Sequence, residues 1–449
     1  MYPILLIIQK GATVICQNLG TLTLLLLALP FNLLLVIPAL IINILRSPFQ
    51  KKVIAKNPKN VLITGGKMTK SLQLARSFHA AGHRVFLVEI HKYWLSGHRF
   101  SKAVEKLYTV PAPEKDSEGY CQGLLEIVKR EKIDLFIPVS SPVASYYDSL
   151  AKPILSPHCE VLHFDPDITK MLDDKFTLCE KARELGLTAP KVFFITNPQQ
   201  ILDFDFVVDG SKYILKSIRY DSVTRLDLTQ LPFEGMEEYV KKLPISQERP
   251  WVMQQFIKGQ EYCTHSTVRN GKIRLHCCSK SSPFQVNYEE VDNPKIYQWV
   301  EEFVSKLNLT GQISFDFIQT EDGTVYPVEC NPRTHSAITM FHDHPGVADA
   351  YVNDSDEPPI KPLPNSKPTY WLYHEIWRFT GLNSWSDLQT WINKLAQGTD
   401  AIYKVDDPLP FLMVHHWQIP LLLLANLRKL KGWVKIDFNI GKLVEIGGD

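Results

Sequence analysis

The sequence predicts a mixed α/β protein, and three observations support this fold class. Between residues 57 and 165, short apolar runs alternate with segments of helical period, which is the pattern of βαβ units. Residues 311–336 read as two short strands joined by a tight turn. Residues 11–45 contain no charged side chain and predict an apolar helical segment. With 449 residues, the chain has room for about three domains and a sizeable core.

Shifts in composition divide the chain into four regions. We predict an apolar helical segment with a basic flank in residues 1–56 and a βαβ, Rossmann-like domain in residues 57–165. Residues 166–353 hold the candidate chemistry, with a smaller subdomain at about 190–256. Residues 354–449 begin with a proline-rich linker and form a carboxy-terminal extension.

The overall charge and the cysteines exclude some classes of protein. The formal net charge is +1 and 22% of the residues are charged, which argues against a nucleic-acid-binding protein with its strong basic excess. The eight cysteines show no CxxC or zinc spacing. We therefore expect reduced thiols in a cytoplasmic protein that acts on small molecules.

The apolar segment 11–45 is long enough to cross a bilayer. Basic residues follow it with no acid among them, which predicts that the remainder of the protein stays cytoplasmic: Arg46, Lys51, Lys52, Lys56 and Lys59. Pro30 and Pro38 argue against one straight helix. The alternative is a hairpin that packs on the protein's own apolar surface.

The domain 57–165 opens with a strand at 60–64, a Gly65-Gly66 turn and a helix at 69–81. The turn GGKMTKS matches neither the GxGxxG dinucleotide fingerprint nor a P-loop. Ligands of open α/β sheets bind at the carboxyl ends of the strands, and two polar loops are expected there. These loops make His98, Arg99 and Ser141 candidate substrate residues, although ordinary polar loops would look the same.

Two lysines and one strand in the next region suggest a nucleotide site. Lys175 lies within a helix pair at 165–187, and Lys216 ends an apolar strand, where a charge is costly without a partner such as a phosphate. For Lys175 the alternative is a surface ion pair. The strand 251–257 offers backbone groups and apolar walls to an adenine, and the residues expected there are Gln254, Gln255, Phe256 and Ile257, with Glu261 on the ribose.

The hairpin at 311–336 predicts a metal site. If Asp322-Gly323 forms a two-residue turn, Asp316 lies opposite Glu329, and Asn331 faces the same side. Opposed carboxylates repel unless a cation lies between them, and these hard oxygen ligands suit Mg²⁺ rather than zinc. Arg333 can then hold a phosphate. The alternative is a surface hairpin with scattered polar groups.

Asp316 followed by Glu329-Cys-Asn331-Pro-Arg333 resembles the metal motif of ATP-grasp ligases. The resemblance implies an ATP-grasp fold that binds ATP and two Mg²⁺ ions, with Lys175 and Lys216 on the phosphates. The hinge strand is similar to that of D-alanine–D-alanine ligases, except that Gln254 and Gln255 replace Glu and Lys. The family's glycine-rich flap is also changed here, because residues 217–225 contain no glycine and offer Arg219 or Arg225 instead.

Further stretches widen the resemblance to nearly the whole chain, among them HKYWLSGHRFS, SPVASYYDSLAK, ECNPRTHSAITMF and LKGWVKIDFNIGKLVE. They are similar to mycosporine-glycine synthetases, the ligases of the mycosporine-like amino acid (UV sunscreen) pathway. This implies that 4-deoxygadusol is phosphorylated and joined to glycine. Arg333, Lys216 and His335 are then the catalytic candidates, and Ser336 is a further substrate candidate.

Three other interpretations remain open from the residues alone. The first is an ATP-grasp ligase that joins an ordinary carboxylate to an amino acid. The second is a membrane-tethered nucleotide-binding scaffold without catalysis, which the five intact candidates Lys175, Lys216, Asp316, Glu329 and Asn331 disfavour. The third, a Rossmann oxidoreductase, lacks a fingerprint.

Overall fold

The structure is a computed structural model that describes residues 2–49, 53–140, 142–218, 227–281 and 287–445. The helices of this part are α1 Tyr2–Arg46, α2 Thr69–Ala80, α3 Ser117–Glu131, α4 Pro142–Leu155, α5 Pro166–Asp173, α6 Lys175–Glu184, α7 Gln199–Leu202, α8 Phe206–Asp209, α9 Met236–Lys242, α10 Pro294–Lys306, α11 Val347–Val352, α12 Leu372–Phe379, α13 Trp385–Gln397, α14 Leu409–Met413 and α15 Ile419–Arg428.

The strands of the same part are β1 Asn60–Ile63, β2 Arg84–Ile90, β3 Lys106–Val110, β4 Leu135–Ile137, β5 Glu160–Val161, β6 Val192–Ile195, β7 Tyr213–Ser217, β8 Trp251–Gln255, β9 Gln260–Arg269, β10 Lys272–Lys280, β11 Asn287–Tyr288, β12 Gly311–Gln319, β13 Val325–Asn331, β14 Thr369–Tyr370, β15 Thr399–Asp400, β16 Lys435–Asp437 and β17 Lys442–Val444. Strands and helices alternate in the first half, which confirms the predicted α/β class.

The first domain is a parallel sheet of β1 to β5 in the order β3-β2-β1-β4-β5. Side chains of β1 alternate between its faces: Val61 and Ile63 pack with α2, whereas Leu62 packs with α3 and α4. Helix α2 also contacts the next domain, because its Phe78 shares a core with Phe341. This packing brings the carboxyl ends of β1 and β4 against the following domain.

The second domain contains two antiparallel sheets. A three-stranded sheet has the order β6-β8-β7, and a four-stranded sheet has the order β10-β9-β12-β13. Helix α10 covers the larger sheet, where Trp299 and Phe303 pack on Phe315 and Phe317. The opposite face of this sheet carries the polar residues of the candidate site.

Helix α1 packs lengthwise on the carboxy-terminal extension. Its polar side chains bond to that extension: Gln17 to the carbonyl of Trp433 (2.8 Å), Asn32 to the Tyr373 hydroxyl (2.6 Å) and Asn43 to the carbonyl of Val405 (2.7 Å). Pro30 and Pro38 lie inside this one helix, and the predicted apolar helical segment is confirmed. The predicted alternative of a hairpin is not what the structure shows.

The outer face of α1 is apolar and exposed. Leu24, Phe31 and Leu34 are 66%, 70% and 72% exposed, whereas Leu25 and Val36 are buried against the extension. Residues 13–49 form, by length and composition alone, the one helix of the described chain that is long and apolar enough to cross a membrane. Buried helices and signal sequences pass the same test.

Candidate functional site

The β12–β13 hairpin brings the predicted acidic residues together. Asp316 pairs directly with Glu329, and Ser314 pairs with Asn331. Glu329 and Asn331 are two residues apart and therefore lie on the same face as Asp316. The predicted register of these three side chains agrees with the structure.

The turn that produces this register differs from the predicted one. Thr320 donates its N–H to the carbonyl of Thr324 (3.0 Å), which leaves a three-residue loop at 321–323 with Gly323 at φ +82°. This loop alone would shift the register by one residue. A β-bulge beside Asp316 and Phe317 inserts Val328 as an extra residue and restores it.

Charges around Asp316 disfavour its ionisation in the absence of a cation. Burial raises the pKa of Asp316 to about 7, and the carboxylates of Glu329 and Glu261 act in the same direction. Lys175 partly compensates the cluster, because its Nζ lies 3.4 Å from Glu329 Oε2. Glu261, predicted to bind the ribose, is therefore close enough to influence this cluster.

Arg333 follows the hairpin and adds a cation to the same site. Burial lowers its pKa, and the carboxylates of Asp173, Glu329 and Asp316 oppose that shift. Its Nε is buried and has no hydrogen-bond partner among the described residues. A guanidinium with a free N–H at this point can accept an anionic ligand such as a phosphate.

The donor set fits the Mg²⁺ ions that the resemblance implies. Asp316, Glu329 and Asn331 offer two carboxylates and one amide oxygen, which are hard ligands. Within the described ranges, no group of three or more His, Cys, Asp or Glu side chains is arranged to hold a metal ion. The three residues therefore suit Mg²⁺ that takes its remaining ligands from phosphates and water, and they do not suit an all-protein cage.

Lys216 lies near the end of β7, as predicted, and β7 is an edge strand of the three-stranded sheet. Lys216 pairs with Val252 of β8, and its Nζ donates to the carbonyl of Asp227 at 2.9 Å. Asp227 is fixed in turn by the Tyr239 hydroxyl (2.8 Å). The predicted flap residues Arg219 and Arg225 lie outside the described residues. Within β7 itself, Lys216 is the cationic side chain.

The hinge strand β8 connects the two sheets through Gln254. The Gln254 amide donates to the carbonyl of Val328 at 3.3 Å, which is the extra residue of the β13 bulge. A glutamate, which the resemblance leads one to expect here, has no donor for this bond. Gln255 accepts from the N–H of Lys191 (3.1 Å), so both amides hold the hinge in place.

The hydrogen bonds of the backbone next to the hinge strand determine which N–H groups are available to an adenine. The N–H of Phe256 donates to the carbonyl of Lys212 at 2.7 Å and is therefore occupied. Ile257 is buried and Phe256 is half-buried, which agrees with the predicted apolar walls. The backbone donor predicted for adenine then falls to Ile257 rather than to Phe256.

His335 and Ser336 lie beside Arg333 but are bound within the protein. His335 Nδ1 accepts from the N–H of Ala337 (3.2 Å), and burial lowers the pKa of His335 to about 3, with Lys70 and Arg333 adding to the shift. The Ser336 hydroxyl contacts the Asn439 side chain (2.8–3.0 Å). His335 is therefore a neutral imidazole whose Nδ1 lone pair is already engaged by the N–H of Ala337.

The candidates of the first domain have three different placements. His98 is fully buried, and its Nδ1 contacts the carbonyl of Gly66 at 3.1 Å, so that it supports the turn after β1. Arg99 is exposed, and its guanidinium donates to the carbonyl of Trp94 (3.0 Å). Ser141 lies outside the described residues. The structure does not bring His98 and Arg99 to the hairpin site, and their substrate roles stay predictions.

A polar network under the carboxyl ends of β1 and β4 holds two loops together. Asp148 accepts from the Thr64 hydroxyl (3.1 Å) and the Tyr120 hydroxyl (2.5 Å), and the Thr64 oxygen accepts from the N–H of Val139 (2.8 Å). Burial raises the pKa of Asp148 to about 7, against the effect of these hydrogen bonds. Above this network lies a small pocket lined by residues that include Gly65, Lys67, Glu89 and Ser140.

Two lysines that the sequence reasoning missed face this region. Lys67 Nζ lies 3.2 Å from Glu89 Oε1, and Lys70 Nζ donates to the carbonyl of Thr334 at 2.6 Å. Lys67 lies in the turn after β1, and Lys70 lies in the first turn of α2. The usable signal was a pair of lysines after the first strand of a βαβ unit, at the edge where ligands bind.

Comparison with known proteins agrees with this geometry. Residues 172–337 match the sequence family described as the ATP-grasp domain. Among solved structures, the chain is similar to N5-carboxyaminoimidazole synthetase from Staphylococcus aureus complexed with ADP, at 13% identity and a TM-score of 0.51. The match covers 71% of this chain and 82% of that chain.

Biotin carboxylase from Campylobacter jejuni gives a TM-score of 0.50 at 12% identity, covering 67% of this chain and 72% of that chain. An L-amino acid ligase from Bacillus licheniformis gives 0.46 at 16% identity, covering 62% and 68%. No protein of curated function matches the sequence. Residues 172–337 are an ATP-grasp domain, which confirms the predicted fold.

Proposed function

We propose that the protein is an ATP-dependent carbon–nitrogen ligase. The observation that carries this proposal is the convergence of Asp316, Glu329 and Asn331 on one face, with Lys175 at 3.4 Å from Glu329 and Arg333 beside them. Such a set neutralises the charge of transferring phosphoryl groups, which is the main task in phosphoryl transfer. The ATP-grasp family match and the ADP-bound neighbour support the same reading.

In the first step, an oxygen anion of the acceptor attacks the γ-phosphorus of ATP. A P–O bond to the acceptor forms, the bridging P–O bond to ADP breaks, and ADP leaves. Lys175, Lys216 and Arg333 hold the phosphates in line and stabilise the charge that spreads over them. Mg²⁺ held by Asp316, Glu329 and Asn331 would supply further neutralisation of the phosphate oxygens.

In the second step, an amine attacks the carbon that carries the new phosphate ester. A C–N bond forms, the C–O bond to phosphate breaks, and inorganic phosphate leaves. The attacking nitrogen loses a proton, which the departing phosphate can take up, because the low pKa of His335 makes its imidazole a weak base. Helix α2 of the first domain packs on residues 337–341, which follow His335, and this packing supports the exclusion of water from the site.

For the substrates, we propose 4-deoxygadusol and glycine, with mycosporine-glycine, ADP and phosphate as products. The support is the resemblance of the sequence stretches quoted above, spread over nearly the whole chain, to mycosporine-glycine synthetases. The enolised 1,3-diketone of 4-deoxygadusol is a vinylogous carboxylic acid, so that its phosphate is a vinylogous acyl phosphate. Glycine then adds at the β-carbon and forms an enaminone.

One reaction tests this proposal. Purified protein is incubated with Mg-ATP, 4-deoxygadusol and glycine, and the product and ADP are quantified by mass spectrometry. We expect condensation product and ADP in equal amounts, and a large loss with the Arg333→Ala variant. ADP release that depends on an ordinary carboxylate, with none from 4-deoxygadusol, would favour the carboxylate–amine ligase instead. No ADP release, from protein that binds ATP, would refute the substrate assignment.

We further propose that α1 holds the protein on the cytoplasmic surface of a membrane, in the plane of the interface. The hydrogen bonds from Gln17 to Asn43 fix about 39 Å of the helix on the folded extension, which a bilayer-spanning helix could not keep. The exposed apolar face is bordered by basic residues at both ends: Arg46, Lys56, Lys429 and Lys431. Such residues suit anionic lipid head groups.

A further inference from the structure

Lys70 is a buried cation without an acidic partner. Its residue is only 5% exposed, and its Nζ donates to the carbonyl of Thr334 at 2.6 Å. An ammonium group has three donors, and in the described ranges no carboxylate lies within ion-pair distance of this one. A buried charge without a counterion is costly, so that this position is unfavourable for the fold unless a ligand completes it.

The charged neighbours of Lys70 have the same sign. Burial lowers the pKa of Lys70 well below its usual value, and the charges of Arg333 and Lys67 add to this effect. Two histidines lie close to Lys70, because Lys70 bonds to the carbonyl of Thr334 and the N–H of the next residue, His335, donates to His265 Nδ1 at 3.4 Å. Burial lowers the pKa of both imidazoles, and the charge of Lys70 adds to the shift. Lys70 therefore faces cations and neutral imidazoles on the sides formed by α2, β9 and the segment after β13.

Lys67 provides an internal comparison within the same stretch of chain. It is also buried, but its Nζ lies 3.2 Å from Glu89 Oε1, and that carboxylate is buried as well. This stretch thus holds one compensated and one uncompensated lysine three residues apart. This difference indicates that Lys70 was not placed there to complete an ion pair within the protein.

We propose that Lys70 binds an oxyanion of the substrates where the first domain meets the ATP-grasp domain. Thr334, whose carbonyl Lys70 contacts, lies between Arg333 and His335, so the ammonium is next to the reacting groups. The ligand is a singly charged oxygen anion. It is either the carboxylate of the amino acid or the ionised oxygen of the acceptor, and this identification rests on the proposed function.

Thermal unfolding of two matched variants tests the role of Lys70 without any substrate. We expect Lys70→Met to raise the melting temperature by about 2 °C or more, because an uncompensated buried charge is removed. We expect Lys67→Met to lower it, because Glu89 is left buried and unpaired. If Lys70→Met lowers the melting temperature as much as Lys67→Met does, Lys70 serves only to satisfy Thr334, and the proposal is refuted.

Equilibrium dialysis identifies the source of the oxyanion. Glycine and 4-deoxygadusol are dialysed separately against the protein in the presence of Mg²⁺ and a non-hydrolysable ATP analogue. We expect Lys70→Met to weaken binding of one of them by about 10- to 100-fold, while the Kd of the ATP analogue changes less than about twofold. If the variant binds each of the two substrates as tightly as the wild type does, the proposal is overturned. If neither binds the wild type, the proposed substrates are wrong, and the melting contrast still decides the role of Lys70.

Discussion

Asp316 lies directly opposite Glu329 only because two irregularities of the hairpin cancel. The three-residue loop after Thr320 moves the register by one residue, and the bulge at Val328 moves it back. The same bulge presents the Val328 carbonyl to Gln254 of the neighbouring sheet. The register of the hairpin, its candidate metal ligands and the hinge strand are thus connected through one extra residue, Val328.

Removal of one carboxylate should separate function from stability. We expect Glu329→Gln to reduce Mg-ATP-dependent ADP release by roughly two orders of magnitude, because a metal ligand and its charge are lost. The melting temperature of the ligand-free protein should stay constant or rise, since repulsion with Asp316 is relieved. Glu302→Gln, on the surface of α10, is the matched control and should leave both quantities unchanged. Normal ADP release by Glu329→Gln would contradict the metal site.

Lys216 and Lys212 offer a matched pair on the same strand region. We expect Lys216→Met to raise the KM for ATP by about 10- to 100-fold, because a charged hydrogen bond to phosphate is lost. Lys212→Met should change it less than about twofold, since this side chain is exposed and donates to the Pro232 carbonyl at 3.2 Å. Steady-state kinetics over ATP concentration measures both. Equal effects of the two substitutions would remove the phosphate role of Lys216.

The amide of Gln254 should not be replaceable by a carboxylate. Gln254→Glu places an acceptor against the Val328 carbonyl, so we expect a loss of about 1–3 kcal/mol in the free energy of unfolding. The KM for ATP should rise as well, because the hinge and the hairpin lose their connection. Urea unfolding and ATP kinetics measure these changes. A variant as stable as the wild type would show that this bond contributes nothing.

Asp148 should make stability depend on pH. Its pKa is about 7 in the folded protein and about 3.9 in an unfolded chain, so the fold favours the protonated form. Its stabilising contribution is complete below about pH 4 and is lost as the pH rises through 7. We expect the wild type to lose about 1 kcal/mol per pH unit relative to Asp148→Asn across that range. The free energy of unfolding is measured in urea at pH 5 and pH 8 for both proteins. If the difference between the two proteins is the same at both pH values, the prediction is contradicted.

The membrane proposal has a direct test in liposome flotation. We expect the wild-type protein to float with vesicles of phosphatidylcholine and phosphatidylglycerol. A variant with Leu24→Ser, Phe31→Ser and Leu34→Ser should stay in the soluble fraction, because its exposed apolar face is interrupted. Val207→Ser with Val208→Ser changes exposed apolar residues elsewhere and should float normally. A wild type that never floats would refute membrane binding, and a change of oligomeric state in the triple variant would indicate a second copy of the chain as the partner.

Local patterns predicted the strands, the βαβ order and the partners of Asp316, because apolar period and turn residues are properties of neighbouring residues. The two-residue turn was predicted wrongly, because the structure has a three-residue loop at 321–323 and a compensating bulge at Val328. The correct register was therefore reached by a route that the structure does not follow. From the sequence alone, Pro30 and Pro38 argue against one straight helix, whereas the structure places both within a single helix that packs on the extension.

The residues that sequence reasoning could not find depend on contacts between domains. Lys70 gains its interest only from burial next to Thr334, which is 264 residues away. His98 shows the reverse, because a polar loop residue near a strand end is in fact buried beneath Gly66. No local pattern distinguishes such positions, since burial is decided by the approach of distant segments.

The packing of α1 also sets an order of events during synthesis. Asn18 bonds to the carbonyl of Lys431, 413 residues later in the chain. At typical elongation rates, about 20 to 80 s pass between the emergence of these two residues from the ribosome. Throughout this interval α1 lacks the surface that shields its buried side. During synthesis, the apolar side of α1 therefore needs another binding partner. A chaperone or a nearby lipid surface can bind it before the carboxy-terminal extension has been made.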